Sequence, residues 1–312
     1  CYNCETKKWL PIHKTAPATP KTLCPKCKKK FKKLGIPKLY DSDYKPEKYK
    51  FQGKGKLYIG VELEVDTLLY DTLEIWECIE PFRKNNIFWC SHELSVDNGI
   101  EVIFQPMSWK FITQDKTIEN IMSVLGKKGV GTGSLYNCGL HFHINKSYFG
   151  KNNKKQEHNI YKFLYLFDKF QQDLILLSDR DGYDVQNFCG FFGKSERDRR
   201  SEETMLKEYN YGKYTAIYTG HEETIEVRLF SGTICYKDFQ RYLNIVYKFL
   251  IKSQKYTIEE LYKVNDYINV INTWQIKLNV VYLDKLGGVW VEAIRKTGFI
   301  KIIVEDIIIK DK

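Results

Sequence analysis

The chain has 312 residues, 43% of them hydrophobic and 15% aromatic, which is enough to bury a full core and excludes a disordered protein. No apolar run approaches the roughly 18 residues of a membrane span, so no membrane partner is expected. The net charge of +10 is concentrated at one end, because residues 1–56 hold 16 lysines against 4 acids and the rest of the chain is slightly acidic. Such an arm suits nucleic acid, an acidic partner or an anionic substrate, and it also reads as an ordinary solvated basic surface. There is no signal-peptide pattern and no initiator Met, so a cytoplasmic protein with its natural start upstream of Cys1 is expected.

The first element is Cys1-x2-Cys4, nineteen residues, then Cys24-x2-Cys27. Each pair offers two thiolates to one tetrahedral ion, and the interval suits a Cys4 zinc site. Two disulfides are the competing reading, disfavoured in a chain without an export signal. Four thiolates leave no open position, so this ribbon-like module, over residues 1–35, would hold a structural Zn²⁺. A polar stretch with Pro37, Pro46, Gly53 and Gly55 reads as a linker over residues 36–55.

The strand Leu57 to Asp66 follows. Side chains alternate along a strand, so Glu62 and Glu64 share one face and Val61, Leu63 and Val65 the other. Two carboxylates so placed are a natural floor for a hard divalent cation, although a solvated sheet face is the bland alternative. Residues 72–84 read as a short helix or a loop. Asp97-Asn98-Gly99 then turns a hairpin, with Glu93 near the end of its first arm and Glu101 inside its second. Helical spacing over 114–126 is expected to end at Gly126 and Gly129.

In Asn137 to Asn145, His141 and His143 share one strand face while Leu140, Phe142 and Ile144 face the core. The spacing predicts one long amphipathic helix from Gln156 to Ser178, followed by Arg180 and an arginine-bearing loop at Arg197, Arg199 and Arg200. Two strands are expected next, Lys213 to Tyr218 and Glu222 to Ser231, turned by Gly220 and His221. The second puts Glu226 and Arg228 on one face, with Glu223 looking outward. A helix over 236–254, a capping box at Thr257 and Glu260, a helix near 289–297 and a strand from Phe299 to Ile309 complete the chain. Cys78, Cys90, Cys138, Cys189 and Cys235, scattered among apolar neighbours, read as buried free thiols.

If these strands form one sheet, its polar side gathers several carboxylates, imidazole and arginine. Carboxylates at that density repel unless divalent cations bridge them, and such cations would bind a polyphosphate. The ordered series Gly60-Val-Glu62-Leu-Glu64, Gly99-Ile-Glu101-x4-Pro106, Cys138-Gly-Leu-His141-Phe-His143 and Thr224-Ile-Glu226-Val-Arg228-Leu-Phe-x-Gly232-Thr233 resembles the amidoligase family. That family is a branch of the glutamine synthetase-like carboxylate–amine ligases, often phage or bacterial. The resemblance covers about residues 56–250. Where the family has an Asp-Gly-Ser type sequence ahead of Gly-x-Glu, this chain has His92-Glu-Leu-Ser95, and Glu93 stands in for the Asp.

The resemblance implies an α+β fold, a curved antiparallel sheet backed by helices, as the catalytic domain over residues 56–312. It implies Glu62, Glu64, Glu93, Glu101, His141 and Glu226 as ligands of Mg²⁺ or Mn²⁺. Arg228, Lys213 and Arg180 would face ATP phosphates, with Glu62, Glu226 and Arg228 central to catalysis. The implied reaction is attack of a substrate carboxylate on ATP to give an acyl phosphate, which an amine, free or on a peptide or protein, converts to an amide. Two rivals remain at this level: a metal-dependent phosphotransferase or hydrolase on the same fold, and a non-catalytic zinc-ribbon protein that binds nucleic acid.

Overall fold

The computed structural model describes residues 39–192 and 201–264, apart from 43, 69, 71, 97, 134 and 136, together with three strands at 277–283, 289–295 and 298–303. The expected zinc ligands Cys1, Cys4, Cys24 and Cys27, and Arg197, Arg199 and Arg200, lie outside the described residues.

The fold is α+β, with six antiparallel strands in one open sheet. In chain order the strands are β1 (Tyr58–Asp66), β2 (Phe88–Glu93), β3 (Gly99–Ser108), β4 (Gly139–Asn145), β5 (Ile217–Tyr218) and β6 (Thr224–Ser231). Their spatial order is β2-β3-β1-β4-β6-β5, so β1 and β4 occupy the centre. The helices are α1 (Thr72–Ile79), α2 (Trp109–Gln114), α3 (Thr117–Lys128), α4 (Asn153–Lys169), α5 (Gln171–Ser178), α6 (Gly182–Phe188), α7 (Glu202–Tyr209), α8 (Tyr236–Lys255) and α9 (Ile258–Lys263). The chain divides into two compact units, one ending at Leu261 and one starting at Tyr262.

Alternation explains which side of the sheet is packed. Ile59, Val61, Leu63 and Val65 are fully buried, as are Ile100, Val102, Leu140, Phe142, Ile144, Ile225 and Val227 on the neighbouring strands. Helix α8 lies against this apolar face: Phe239 meets Phe142 with ring centroids 5.9 Å apart, and Tyr242 stacks on Phe230 at 4.5 Å. Phe230 reaches that face because of a bulge. Leu140 pairs with Phe230 and Phe142 with Val227, so two residues, Arg228 and Leu229, oppose the single His141.

Several expectations are corrected. The helix from Gln156 to Ser178 is two helices, α4 and α5, broken at Phe170, whose backbone (φ −106°, ψ 25°) leaves the helical region. Phe170 and Leu174 remain buried across the break, so apolar periodicity alone could not reveal it. Gly126 lies inside α3, and the helix ends at Gly129 in the left-handed conformation (φ 72°). The expected strand from Lys213 shrinks to Ile217–Tyr218. The helix expected near 289–297 is a strand, Val289–Arg295, in a three-stranded antiparallel sheet with Lys277–Leu283 and Gly298–Ile303. Val289, Trp290, Val291 and Ile294 are β-branched or aromatic, which favours a pleated surface over a helix. Cys235 is exposed and Cys78 half-buried, whereas Cys90, Cys138 and Cys189 are buried.

The hairpin β2–β3 and the capping box are present, with Thr257 N–H donating to Glu260 and Glu260 N–H to the Thr257 hydroxyl. The breaker-rich stretch before β1 pairs with the sheet at two points. Tyr40 bonds the outer edge of β2, donating to the Cys90 carbonyl and accepting from His92 N–H. Gln52 does the same beside the end of β3, with Pro106 and Ser108.

Candidate metal centre

Residues directly opposed in an antiparallel pair share a face, so the register reads out the polar side row by row. In the first row Ser91 of β2 opposes Glu101 of β3, which opposes Glu64 of β1. In the second, Trp89 opposes Ile103, which opposes Glu62, which opposes His141 of β4. In the third, Gly60 opposes His143, which opposes Glu226 of β6, which opposes Tyr218 of β5. The rows place Glu62, Glu64, Glu101, His141 and Glu226 on one surface.

Their ligand atoms converge. His141 Nδ1 stands 3.5 Å from both Glu62 Oε2 and Glu226 Oε1, and its Nε2 stands 3.7 Å from Glu64 Oε1. His143 Nε2 lies 3.1 Å from Glu62 Oε1. Among the described residues, three sets of side chains have ligand atoms within 4.8 Å of one another: Glu64, Glu93 and Glu101; Glu62, Glu101 and His141; and His143, His221 and Glu226. His141 is buried, yet its Nδ1 makes no hydrogen bond, and neither does the buried Nε2 of His143. Buried polar atoms left in this state need a partner, and these two face carboxylates at distances a cation could bridge.

Gly139 makes the close approach possible. Its N–H donates to Glu64 Oε2 at 2.5 Å. A Cβ there would lie 2.5 Å from His141 Nε2, 2.9 Å from an Arg180 terminal nitrogen and 3.0 Å from Glu64 Oε2. Only glycine leaves these three groups where they are. Glu93 is held from its own loop, accepting from Ser95 N–H at 2.8 Å and from the Ser95 hydroxyl at 2.6 Å. Ser91 donates to Glu101 Oε2 at 3.3 Å.

The charges sort themselves across the face. Burial would raise the Glu62 carboxyl, but His143 and His141 outweigh it and hold it well below the usual range. Glu226 is likewise lowered to about 2, since His143, His221 and Arg228 overcome its burial. His143 moves the other way, up to about 9, because Glu62 and Glu226 outweigh the burial that opposes its charge. Glu101 has no such help. Burial first, then the charges of Glu62, Glu64 and Glu93, push it well above the carboxylate range. Without a cation, then, Glu101 holds its proton more tightly than an ordinary carboxyl, and a divalent ion would favour its release.

The arginines flank the cluster. Arg228 pairs with Glu226, and Arg180 is buried beside Gly139 with its Nη1 3.4 Å from Asp184. Lys213 is exposed, with its ammonium 5.6 Å from the Tyr214 ring. Cys138, next to Gly139, is no nucleophile: burial and then the charges of Glu64 and Asp66 drive its thiol far up.

His143 was visible in the sequence, as the partner of His141 on one strand face. One member of the cluster, His221, was not. His221 sits in the β5–β6 turn, outside any periodic pattern, and meets Glu226 Oε2 at 2.8 Å only because that turn folds back. Another neighbour comes from outside the strands. Tyr49 packs on Trp89 with centroids 6.3 Å apart, and its hydroxyl is raised by burial and then by the charge of Glu62.

No protein-family model matches the chain, and no curated protein is similar enough to count as a relative.

Proposed function

We propose that the protein is an ATP- and Mg²⁺-dependent carboxylate–amine ligase built on a glutamine synthetase-like sheet. The observation that carries this reading is the His141 imidazole, buried, without a hydrogen bond on Nδ1, and equidistant from Glu62 and Glu226, with the carboxylate set of Glu64, Glu93 and Glu101 beside it. Carboxylate oxygens with one imidazole suit Mg²⁺ or Mn²⁺. Glu62, Glu101 and His141 would hold one cation, with Glu226 beside His141, and Glu64, Glu93 and Glu101 another. The four N-terminal cysteines would hold a structural Zn²⁺ apart from the chemistry.

When bound, ATP and its cations supply the phosphoryl group that activates a carboxylate and neutralise charge during transfer. The chain's own residues orient and balance that charge. Arg228, kept in place by Glu226, offers a guanidinium beside the cation ligands, where it would stabilise charge developing on transferring oxygens. Arg180 places a second guanidinium at the Glu64 end.

Calorimetry of ATP binding with and without Mg²⁺, on the wild type and Glu62→Ala, tests the reading. Magnesium-dependent binding lost in the variant is expected. A well-folded wild type that binds no ATP under either condition would sink it. Phosphate release that needs both a carboxylate and an amine, with an amide product, separates a ligase from a phosphotransferase.

A further inference from the structure

We propose that Tyr49 and Trp89, backed by Tyr44, form a subsite for an organic cation on the β2–β3 half of the polar face. Its role as the amine-substrate subsite rests on the ligase reading; its binding of a cation does not. The stretch between the Tyr40 and Gln52 contacts carries three tyrosines to the edge of the sheet. Tyr40 and Tyr44 stack at 3.6 Å, Tyr44 meets Trp89 edge-on at 6.4 Å, and Tyr49 tilts against Trp89 at 6.3 Å.

Trp89 belongs to the row Trp89, Ile103, Glu62, so this wall stands on the same face as the carboxylates, two strands or roughly 10 Å from Glu62. Tyr49 is 44% exposed, which leaves ring surface open to a ligand. Aromatic rings beside carboxylates attract an ammonium or guanidinium through the ring quadrupole and through charge together.

The distribution of charge selects a cation over an anion or a neutral base. The strands β1 and β2 contribute the carboxylates Glu62, Glu64 and Glu93 to this half, and the charge of Glu62 reaches Tyr49, whereas His141, His143 and Arg228 belong to β4 and β6. Phosphate therefore suits the β4–β6 half, and a cation suits the β2–β3 half, where Arg180 is already paired with Asp184 and Lys45, Lys48 and Lys50 of the tyrosine-bearing stretch are exposed to solvent. Arg83, whose charge reaches Tyr44, has its Nε bonded to the Phe88 carbonyl and its guanidinium over Trp76. The Trp89 indole N–H is buried and makes no hydrogen bond. The chemistry indicated is an amine that carries a lasting positive charge besides its reacting nitrogen, such as a diamine or a basic amino acid.

The test uses tetramethylammonium and guanidinium, neither of which coordinates a metal, with tert-butanol and adenosine as neutral controls. Ligand-observed NMR on the full chain reads binding without Mg²⁺ or ATP. Saturable binding of the cations is expected, weakened about tenfold in Tyr49→Ala and retained in Tyr49→Phe. Both variants alter an exposed side chain, and their melting curves should overlay the wild type's. Equal binding of tert-butanol, binding of adenosine in place of the cations, or affinity unchanged in Tyr49→Ala would each overturn the subsite. Cation binding in a protein that fails to bind Mg-ATP would sink the ligase reading and leave the subsite standing.

Discussion

The two faces of the six-stranded sheet are built from the same strands and obey opposite rules. On one, Val61, Leu63, Val102, Phe142 and Val227 meet helix-borne aromatics and no water. On the other, alternate residues of the same strands set four carboxylates and two imidazoles within bridging distance. The apolar face lowers the energy of the fold; the polar face raises it, since buried like charges repel and are relieved only by neighbouring cations. Stability and chemistry are thus separated by one residue along the chain.

The sharpest way to break this contrast is to damage the apolar face alone. Phe142→Ala removes a ring in contact with both Phe230 and Phe239 and should cost about 3–5 kcal/mol in denaturant unfolding. Cation affinity of the fraction that remains folded should be unchanged.

A titration strains the polar face alone. His143, raised to about 9, gives stability that is fully present below its ordinary value near 6.5 and is lost as pH rises through about 9. Glu101 acts in the same direction, because the folded state keeps a proton that the unfolded chain has already released. Metal-free protein should therefore lose up to roughly 3 kcal/mol between pH 6.5 and 9, read as a falling melting temperature. His143→Asn should flatten that slope. On the acid side Glu226 gives the mirror image, with stability lost as pH falls below the ordinary carboxylate range toward about 2.

The smallest substitution is Gly139→Ala. Its Cβ meets side-chain tips from His141, Arg180 and Glu64, which can give way, so the fold should persist. The ligands would move apart, and Mn²⁺ affinity measured by calorimetry should drop about 10- to 100-fold, the usual penalty for disturbing ligand orientation. Unchanged affinity would mean that the close approach at Gly139 has no bearing on cations.

Much of this was legible because strand periodicity is exact over short runs. Glu62 with Glu64, Glu226 with Arg228, and the outward Glu223 all followed from counting by two. What periodicity cannot report is which strands become neighbours, or where one gains a residue. The bulge opposite His141, the return of His221 onto Glu226 and the arrival of Tyr49 at Trp89 all arise from tertiary pairing. Apolar spacing also misled at Phe170, because a kink between two packed helices preserves the buried stripe. At Val289–Arg295, a short apolar run without its partners fits either a helix or a strand.

The ends of the main sheet carry a consequence for assembly. One outer strand, β5, is two residues long, and the other, β2, has its free backbone groups at Cys90 and His92 taken by Tyr40. A second copy of this sheet would find almost no open row of donors and acceptors to extend. Among the described residues, edge-to-edge pairing of this sheet is therefore hindered at both margins by the chain itself.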